Sequence, residues 1–193
     1  MRIGIDLDEV IMDTLSQVIK YYNRRYKTSF TLSDFHSYNW WETWGCTKDK
    51  AIRTWLDFNN SDVSRKIKPI ERAISSINFL AKTNEIIIIT SRQNKVKEQT
   101  QKWLNKHFKS PPRLILTNDI YIATESKSKI CKDLGIKLMI EDHPKYAAEC
   151  AKSGIKTILF DKPWNKSVSH KEIVKVKNWP EALEVINALT QKG

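Results

Sequence analysis

An aspartate pair spaced two residues apart closes the first apolar run of the chain, Ile3-Gly4-Ile5-Asp6-Leu7-Asp8. Residues i and i+2 share a face while a strand stays extended, so both carboxylates can reach one cation or one phosphoryl group. Burying such a pair without a partner is costly. A plainer reading keeps the run as a strand entering a helix, with Asp8 or Asp13 as the helix N-cap.

Two further apolar runs end in chemically useful groups. Glu85-Ile86-Ile87-Ile88-Ile89 leads into Thr90-Ser91-Arg92, and Ile136-Lys137-Leu138-Met139-Ile140 leads into Glu141-Asp142. Phosphoryl transfer through an aspartyl-phosphate needs a carboxylate nucleophile, a second carboxylic acid for the leaving group's proton, and a divalent cation. It also needs hydroxyl and amide donors and a lysine around the phosphate oxygens. Asp6 and Asp8 fit the first two roles, Thr90 the hydroxyl, Lys127 the ammonium and Asp142 a metal ligand. An all-oxygen ligand set predicts a hard cation such as Mg2+. Arg92 is open between a substrate contact and an ion pair with a carboxylate. His143, in a loop before Pro144, suggests a base, but Asp8 already fills that role. Asp161 reads as a turn residue.

The elements that must position these groups alternate in type. After a strand over Ile3–Leu7, Val10–Tyr26 has helical spacing, Ser33 or Asp34 can cap a short helix, and Lys48–Phe58 is helical again. From Pro69 onward, Glu71–Lys82 reads as an amphipathic helix and Glu85–Ile89 as a strand buried on both faces. Lys95–Phe108 is then a helix, Arg113–Thr117 a strand, and Thr124–Leu134 a helix closed by Gly135. A strand over Ile136–Ile140, a helix over Ala147–Ser153, a strand over Lys156–Phe160 and a helix from Pro180 to Leu189 complete the chain. Five apolar strands alternating with helices predict an α/β fold, a parallel sheet wrapped on both faces. Its ligand belongs beyond the carboxyl ends of the strands, where three of the five carry reactive groups.

The chain between the first strand and Glu85 far exceeds the dozen or so residues that a crossover needs. The excess predicts a mainly helical insert over residues 14–66, with 1–13 and 67–193 as the core domain. The insert holds the most aromatic segment, Tyr38-Asn39-Trp40-Trp41-Glu42-Thr43-Trp44. Phe35, Tyr38, Trp40, Trp41 and Trp44 either form the core of a small cap or overhang the site and pack against a flat base.

A chain of 193 residues, 40% of them hydrophobic, can build one main domain with a small insertion. No apolar run approaches the roughly 20 residues that span a bilayer, and the N-terminus lacks a signal-peptide pattern. The expectation is a cytoplasmic protein without membrane contact. Cys46, Cys131 and Cys150 lack paired zinc-ligand spacing and read as reduced thiols. The net charge of +11 favours anionic partners without naming one. Lys95, Lys97, Lys102, Lys106 and Lys109 read as a solvated helix face, so nucleic acid is not the favoured partner. No oligomeric state is set, and a homodimer is compatible with the sequence.

Asp6-Leu7-Asp8-Glu9-Val10 resembles D-x-D-x-[VT], the first motif of the haloacid dehalogenase (HAD) superfamily of phosphohydrolases. Thr90 matches the second motif, and Glu141-Asp142 the fourth. Lys127 matches the third by its spacing to Leu134-Gly135, with Lys129 its competitor. The resemblance covers the chain outside the insert. It implies a HAD-like Rossmannoid three-layer parallel sheet, with a small helical cap inserted after the first strand and that strand lying between the second and fourth. Within the superfamily the chain looks most like the 5'-nucleotidase branch related to the 5'(3')-deoxyribonucleotidases. Ile89-Thr90-Ser91-Arg92, Ile140-Glu141-Asp142-His143-Pro144 and Leu159-Phe160-Asp161-Lys162-Pro163-Trp164-Asn165 carry that likeness. Glu141-Asp142 departs from the Asp-Asp pair of the better-known deoxyribonucleotidases.

The resemblance implies that Asp6 attacks phosphorus, while Asp8 protonates the leaving oxygen and then activates water. Mg2+ would be held by the Asp6 carboxylate, the Asp8 backbone carbonyl and the Asp142 carboxylate, with Glu141 supporting. Thr90, the Ser91 backbone and Lys127 would hold the phosphate, and Arg92, Tyr38, Trp40, Trp41 and Trp44 would contact the substrate. The expected activity is magnesium-dependent hydrolysis of nucleoside monophosphates. One alternative is a phosphatase of another small phosphorylated metabolite or of a nucleic-acid end. Another is a HAD-fold binding protein without turnover, against which the complete set Asp6, Asp8, Thr90, Lys127 and Asp142 argues.

Overall fold

Consecutive β-branched residues suit a pleated strand packed on both faces, and Glu85–Thr90 is such a strand, β2. The computed structural model describes residues 1–118 and 126–190. The other strands are β1 (Arg2–Ile5), β3 (Arg113–Leu116), β4 (Leu138–Glu141), β5 (Lys156–Phe160) and β6 (Ile173–Val176). All pair in parallel, in the order β3-β2-β1-β4-β5-β6. β1 thus sits between β2 and β4. The sixth strand corrects the expectation of five: Ile-Val-Lys-Val is short and partly exposed at the sheet edge, so it lacks a continuous apolar run.

Alternation along β2 divides the core in two. Ile87 and Ile89 pack with Met139, Ile136, Cys131 and Cys150 under α6 (Lys127–Asp133) and α7 (Pro144–Lys152). Ile86 and Ile88 pack with Ile3, Ile5, Leu138 and Ile140 on the opposite face. That face is covered by α4 (Ala73–Leu80), α5 (Lys97–His107) and α8 (Trp179–Thr190). The result is three layers, helix on sheet on helix.

Helix boundaries move where the backbone has other obligations. α6 starts at Lys127 behind the N-cap Ser126 and ends before Gly135, whose φ of +66° suits the left-handed C-terminal turn. Residues 124 and 125, included in the expected helix, lie outside the described residues. α7 begins at Pro144, earlier than expected, because proline is tolerated in a first turn. The helix expected from Val10, α1, spans only Thr14–Tyr26. Residues 7–13 instead form a folded-back loop: the N–H groups of Ile11 and Met12 donate to the Leu7 carbonyl. Asp13 N–H donates to Lys68 O and Ile70 N–H to Ile11 O, so the two crossings into the inserted helices run side by side.

Beyond α1 the insert contains α2 (Trp40–Trp44) and α3 (Lys48–Asn59). Its short 3-10 turn, Leu32–Asp34, is capped by Thr31, with Asp34 returning the bond, not by Ser33 or Asp34. No helix among the described residues is long and apolar enough to cross a membrane.

Gly4 marks a close approach in the central strand. A Cβ there would lie 2.8 Å from Met139 Sδ and 3.3 Å from both Ile136 and Ile89. Gly4→Ala is therefore expected to destabilise the fold by about 1–3 kcal/mol through overpacking. Urea unfolding checks this, and an unchanged midpoint would contradict the packing.

Candidate active site

β1 and β4 deliver their following residues to one place. Asp6 N–H donates to Ile140 O at 2.9 Å, which continues the β1–β4 ladder one step past the strand. Glu141 ends β4 and Asp142 follows it. Lys127, at the start of α6 and only 1% exposed, donates from Nζ to Asp6 Oδ1 at 2.5 Å and to Glu141 Oε1 at 2.6 Å. Glu141 Oε2 accepts the backbone N–H groups of Asp142 and His143 at 2.7 and 3.0 Å. Both its oxygens are thus engaged within the protein. Trp164 Nε1 donates to Asp142 Oδ2 at 3.1 Å, and Asn165 Nδ2 ties Asp142 O to Phe160 O. Lys129 instead pairs with Asp133 on the exposed side of α6 at 3.1 Å, so Lys127 is the lysine brought into the site.

Oxygens of Asp6, Glu141 and Asp142 lie within 4.8 Å of one another. Burial pushes the carboxyls of Asp6 and Asp142 well above the usual range, and neighbouring carboxylates add to it. Lys127 pulls Asp6 back down. Burial opposes the Lys127 ammonium, but Asp6 and Glu141 outweigh it and hold the proton firmly. Ionised together, the three carboxylates would carry two negative charges more than the Lys127 ammonium offsets. A divalent cation supplies that number, and the oxygen-only donors of Asp6 and Asp142 suit a hard one.

Asp8 lives in a different environment. Arg92 grips it with two bonds, Nε to Oδ2 at 2.9 Å and Nη2 to Oδ1 at 2.7 Å, and Thr14 Oγ1 donates to Oδ1 at 2.5 Å. Burial alone would raise this carboxyl, but Arg92 and Thr14 hold it below the usual range. Arg92 also donates to Thr100 Oγ1 at 3.1 Å, and its backbone N–H donates to the buried Thr90 hydroxyl at 3.3 Å. Arg92 thus makes the ion pair with a carboxylate, and it also lines the cavity over Asp8.

The helix cap expected from Asp8 or Asp13 comes from Glu9. With φ at +60°, Glu9 turns its side chain so that Oε1 accepts Leu15 N–H at 2.7 Å, while Asp13 makes no side-chain cap bond. Burial raises the Glu9 carboxyl and Lys162, 3.4 Å away, offsets part of that.

A cavity of about 330 Å3 opens over Asp8 and Glu9. Ser91 and Arg92 line it from the core, and Tyr38, Trp40, Trp41 and Trp55 line it from the insert. Trp44 and Phe35 do not: Trp44 stacks on Tyr22 at 4.1 Å and meets Phe35 edge-on, inside the insert's own core. At the last position of α2, Trp44 reaches α1 rather than the cavity, which corrects its expected place over the site. Trp55, Tyr146 and Trp164 line the wall without having been singled out as contacts. Trp55 stands one helical turn from Ala51, which also faces the cavity, so the inner stripe of α3 held the signal.

His143 caps α7, its Nδ1 accepting Lys145 N–H at 3.1 Å, and its ring lies between those of Tyr38 and Tyr146. Burial lowers its pKa to about 4, against about 6.5 in an unfolded chain. A lowered histidine pKa contributes stability that is complete above the unfolded value and is lost as pH falls towards the folded one. Between pH 7 and pH 5 the wild type should lose about 2 kcal/mol more than His143→Asn, which keeps a capping side chain. Urea unfolding at the two pH values measures the difference, and equal losses would contradict a buried neutral His143.

The model of the family described as "5' nucleotidase, deoxy (Pyrimidine), cytosolic type C protein" matches residues 1–192. A protein of Bacillus subtilis (strain 168) named as a nucleotidase is 27% identical over 190 residues, 97% of this chain and 94% of its own length. A haloacid dehalogenase-like hydrolase of Streptococcus pneumoniae shares the fold with a TM-score of 0.64 at 12% identity, over 96% of this chain and 97% of that one. A HAD family hydrolase of Deinococcus radiodurans R1, solved with bound phosphate and sodium, gives a TM-score of 0.67 at 12% identity, over 96% and 94%. With the parallel sheet and the residues gathered at its carboxyl end, these matches show that the chain belongs to the cytosolic type C 5'-nucleotidase family of HAD-fold hydrolases.

Proposed function

We propose that this hydrolase releases phosphate from nucleoside monophosphates through an aspartyl-phosphate on Asp6, with Mg2+ as cofactor. The observation that carries the reading is the buried group of Asp6, Glu141 and Asp142, with Lys127 paired to the first two, lying beside an aromatic-walled cavity. The carboxylates of Asp6 and Asp142 and the Asp8 backbone carbonyl would hold Mg2+, which when bound would offset the negative charge of the phosphoryl group and favour ionised Asp6.

Asp6 attacks phosphorus while Asp8 passes a proton to the leaving 5' oxygen. Asp8 then takes a proton from water, which attacks phosphorus and frees Asp6. Lys127 fixes the orientation of Asp6. Thr90, the Ser91 backbone and Lys127 hold the phosphate oxygens, and Glu141 anchors Lys127 and the turn into Asp142. Arg92 favours ionised Asp8, which suits the second step. For the first, the arriving phosphate dianion opposes Arg92 and favours a proton on Asp8.

Residues 14–66 act as the cap, with Trp40, Trp41 and Trp55 walling the base. A volume of about 330 Å3 lies at the small end of ligand pockets, which run from roughly 300 to 1,000 Å3. It suits one nucleotide better than a polymer.

A magnesium-supplemented screen of ribo- and deoxyribonucleotides and other phosphomonoesters tests activity and substrate class together. Release should favour nucleoside monophosphates and disappear with chelator. Asp6→Asn should lower turnover on the order of a thousandfold or more with the fold intact by circular dichroism. Full activity in that variant would sink the mechanism.

A further inference from the structure

We propose that Tyr38 is a catalytic residue, its hydroxyl donating a hydrogen bond from the insert to a non-bridging oxygen of the phosphoryl group at Asp6. The inference rests on the phosphomonoesterase reading above and assigns Tyr38 a task beyond that of an aromatic wall.

Three observations place the phenol. Tyr38 lines the cavity together with Asp8 and Glu9. Its ring lies 3.8 Å, centre to centre, from that of His143, whose backbone N–H is held by Glu141 and which directly follows Asp142. Tyr38 is thereby seated over the end of β4. Burial, then the charges of Asp142, Asp6, Asp8 and Glu141 in that order, keep the phenol protonated, so it is a donor.

This donor has no acceptor among the described residues. Among the nearby carboxylates, Asp8 and Glu141 are engaged at both oxygens, Asp6 at Oδ1 and Asp142 at Oδ2. Asp8 is held by Arg92 and Thr14, Glu141 by Lys127 and two backbone N–H groups, and Asp142 Oδ2 by Trp164. A half-buried hydroxyl without an acceptor loses free energy until one arrives. A phosphoryl group over Asp6 brings three oxygens. Thr90, Ser91 and Lys127 approach it from the core, and Tyr38 approaches from the insert. A preplaced donor of this kind acts on the charge of the transferring group.

Tyr38→Phe removes the hydroxyl and keeps the ring. Wild type and variant are compared on a nucleoside 5'-monophosphate and on p-nitrophenyl phosphate, across a Mg2+ titration, with thermal unfolding as the check on folding. The expected result is kcat lower by roughly ten- to hundredfold on both substrates, with KM within about threefold and half-saturating Mg2+ unchanged. Retention of kcat within about twofold overturns the proposal. So does a loss confined to the nucleotide's KM, which would make Tyr38 a base wall, or a loss repaired by excess Mg2+. If the wild type hydrolyses only p-nitrophenyl phosphate, the nucleotide reading fails and the kcat comparison on that substrate still decides Tyr38. If it hydrolyses neither, calorimetric titration with orthophosphate and Mg2+ decides: about tenfold weaker binding by the variant supports the donor, and equal binding overturns it.

Discussion

The ammonium of Lys127, shared between Asp6 at 2.5 Å and Glu141 at 2.6 Å, allows three carboxylates to occupy the buried ends of two adjacent strands. Removing one partner from a buried ion pair typically costs about 3–5 kcal/mol, because the other charge stays buried and uncompensated. Much of the fold serves this contact. β1 lies between β2 and β4, so Asp6 and Glu141 emerge side by side. Ser126 caps α6 so that the helix opens with Lys127 pointing at both. Lys127 is thus outnumbered by the three buried carboxylates gathered around it.

Asp6 and Asp8 share a spacing but not an environment. Burial and neighbouring carboxylates raise Asp6, whereas Arg92 and Thr14 lower Asp8. Neighbouring acids driven apart in this way can divide nucleophilic and proton-transfer work. The division extends to the insert through α5. Thr100 on that helix orients Arg92, Gln99 Nε2 donates to Ser64 Oγ at 2.6 Å, and Trp103 Nε1 donates to Ile67 O at 2.8 Å. The helix that positions the Asp8 partner therefore also fixes the exit of the insert, while Arg92 stands 5.9 Å from the Trp55 ring.

Strands that are continuous apolar runs were readable from residue types, as were the acids and hydroxyls at their ends, because burial on both faces leaves an unbroken pattern. β6 was not, since an edge strand exposing one face needs no such run. Val10 fitted the helical spacing for a different reason: it is buried in a loop folded back on Leu7. Glu9 as the cap of α1 required a positive φ that residue type does not announce. The aromatic cluster was visible, but the direction of each ring was not. Whether Trp40 or Trp44 faces the cavity depends on how α1 and α3 pack around α2, and only the first does. The pairing of Arg92 with Asp8 depends on the adjacency of β1 and β2 across 84 positions of sequence.

Asp6, paired with Lys127, is the residue proposed to carry the phosphoryl group. The most direct measurement is a single-turnover reaction quenched in acid, followed by peptide mass mapping. The expected result is a transient phosphoryl adduct on the peptide that contains Asp6, formed and lost at rates that match turnover. Turnover with no adduct, or with the adduct on any other residue, would contradict it.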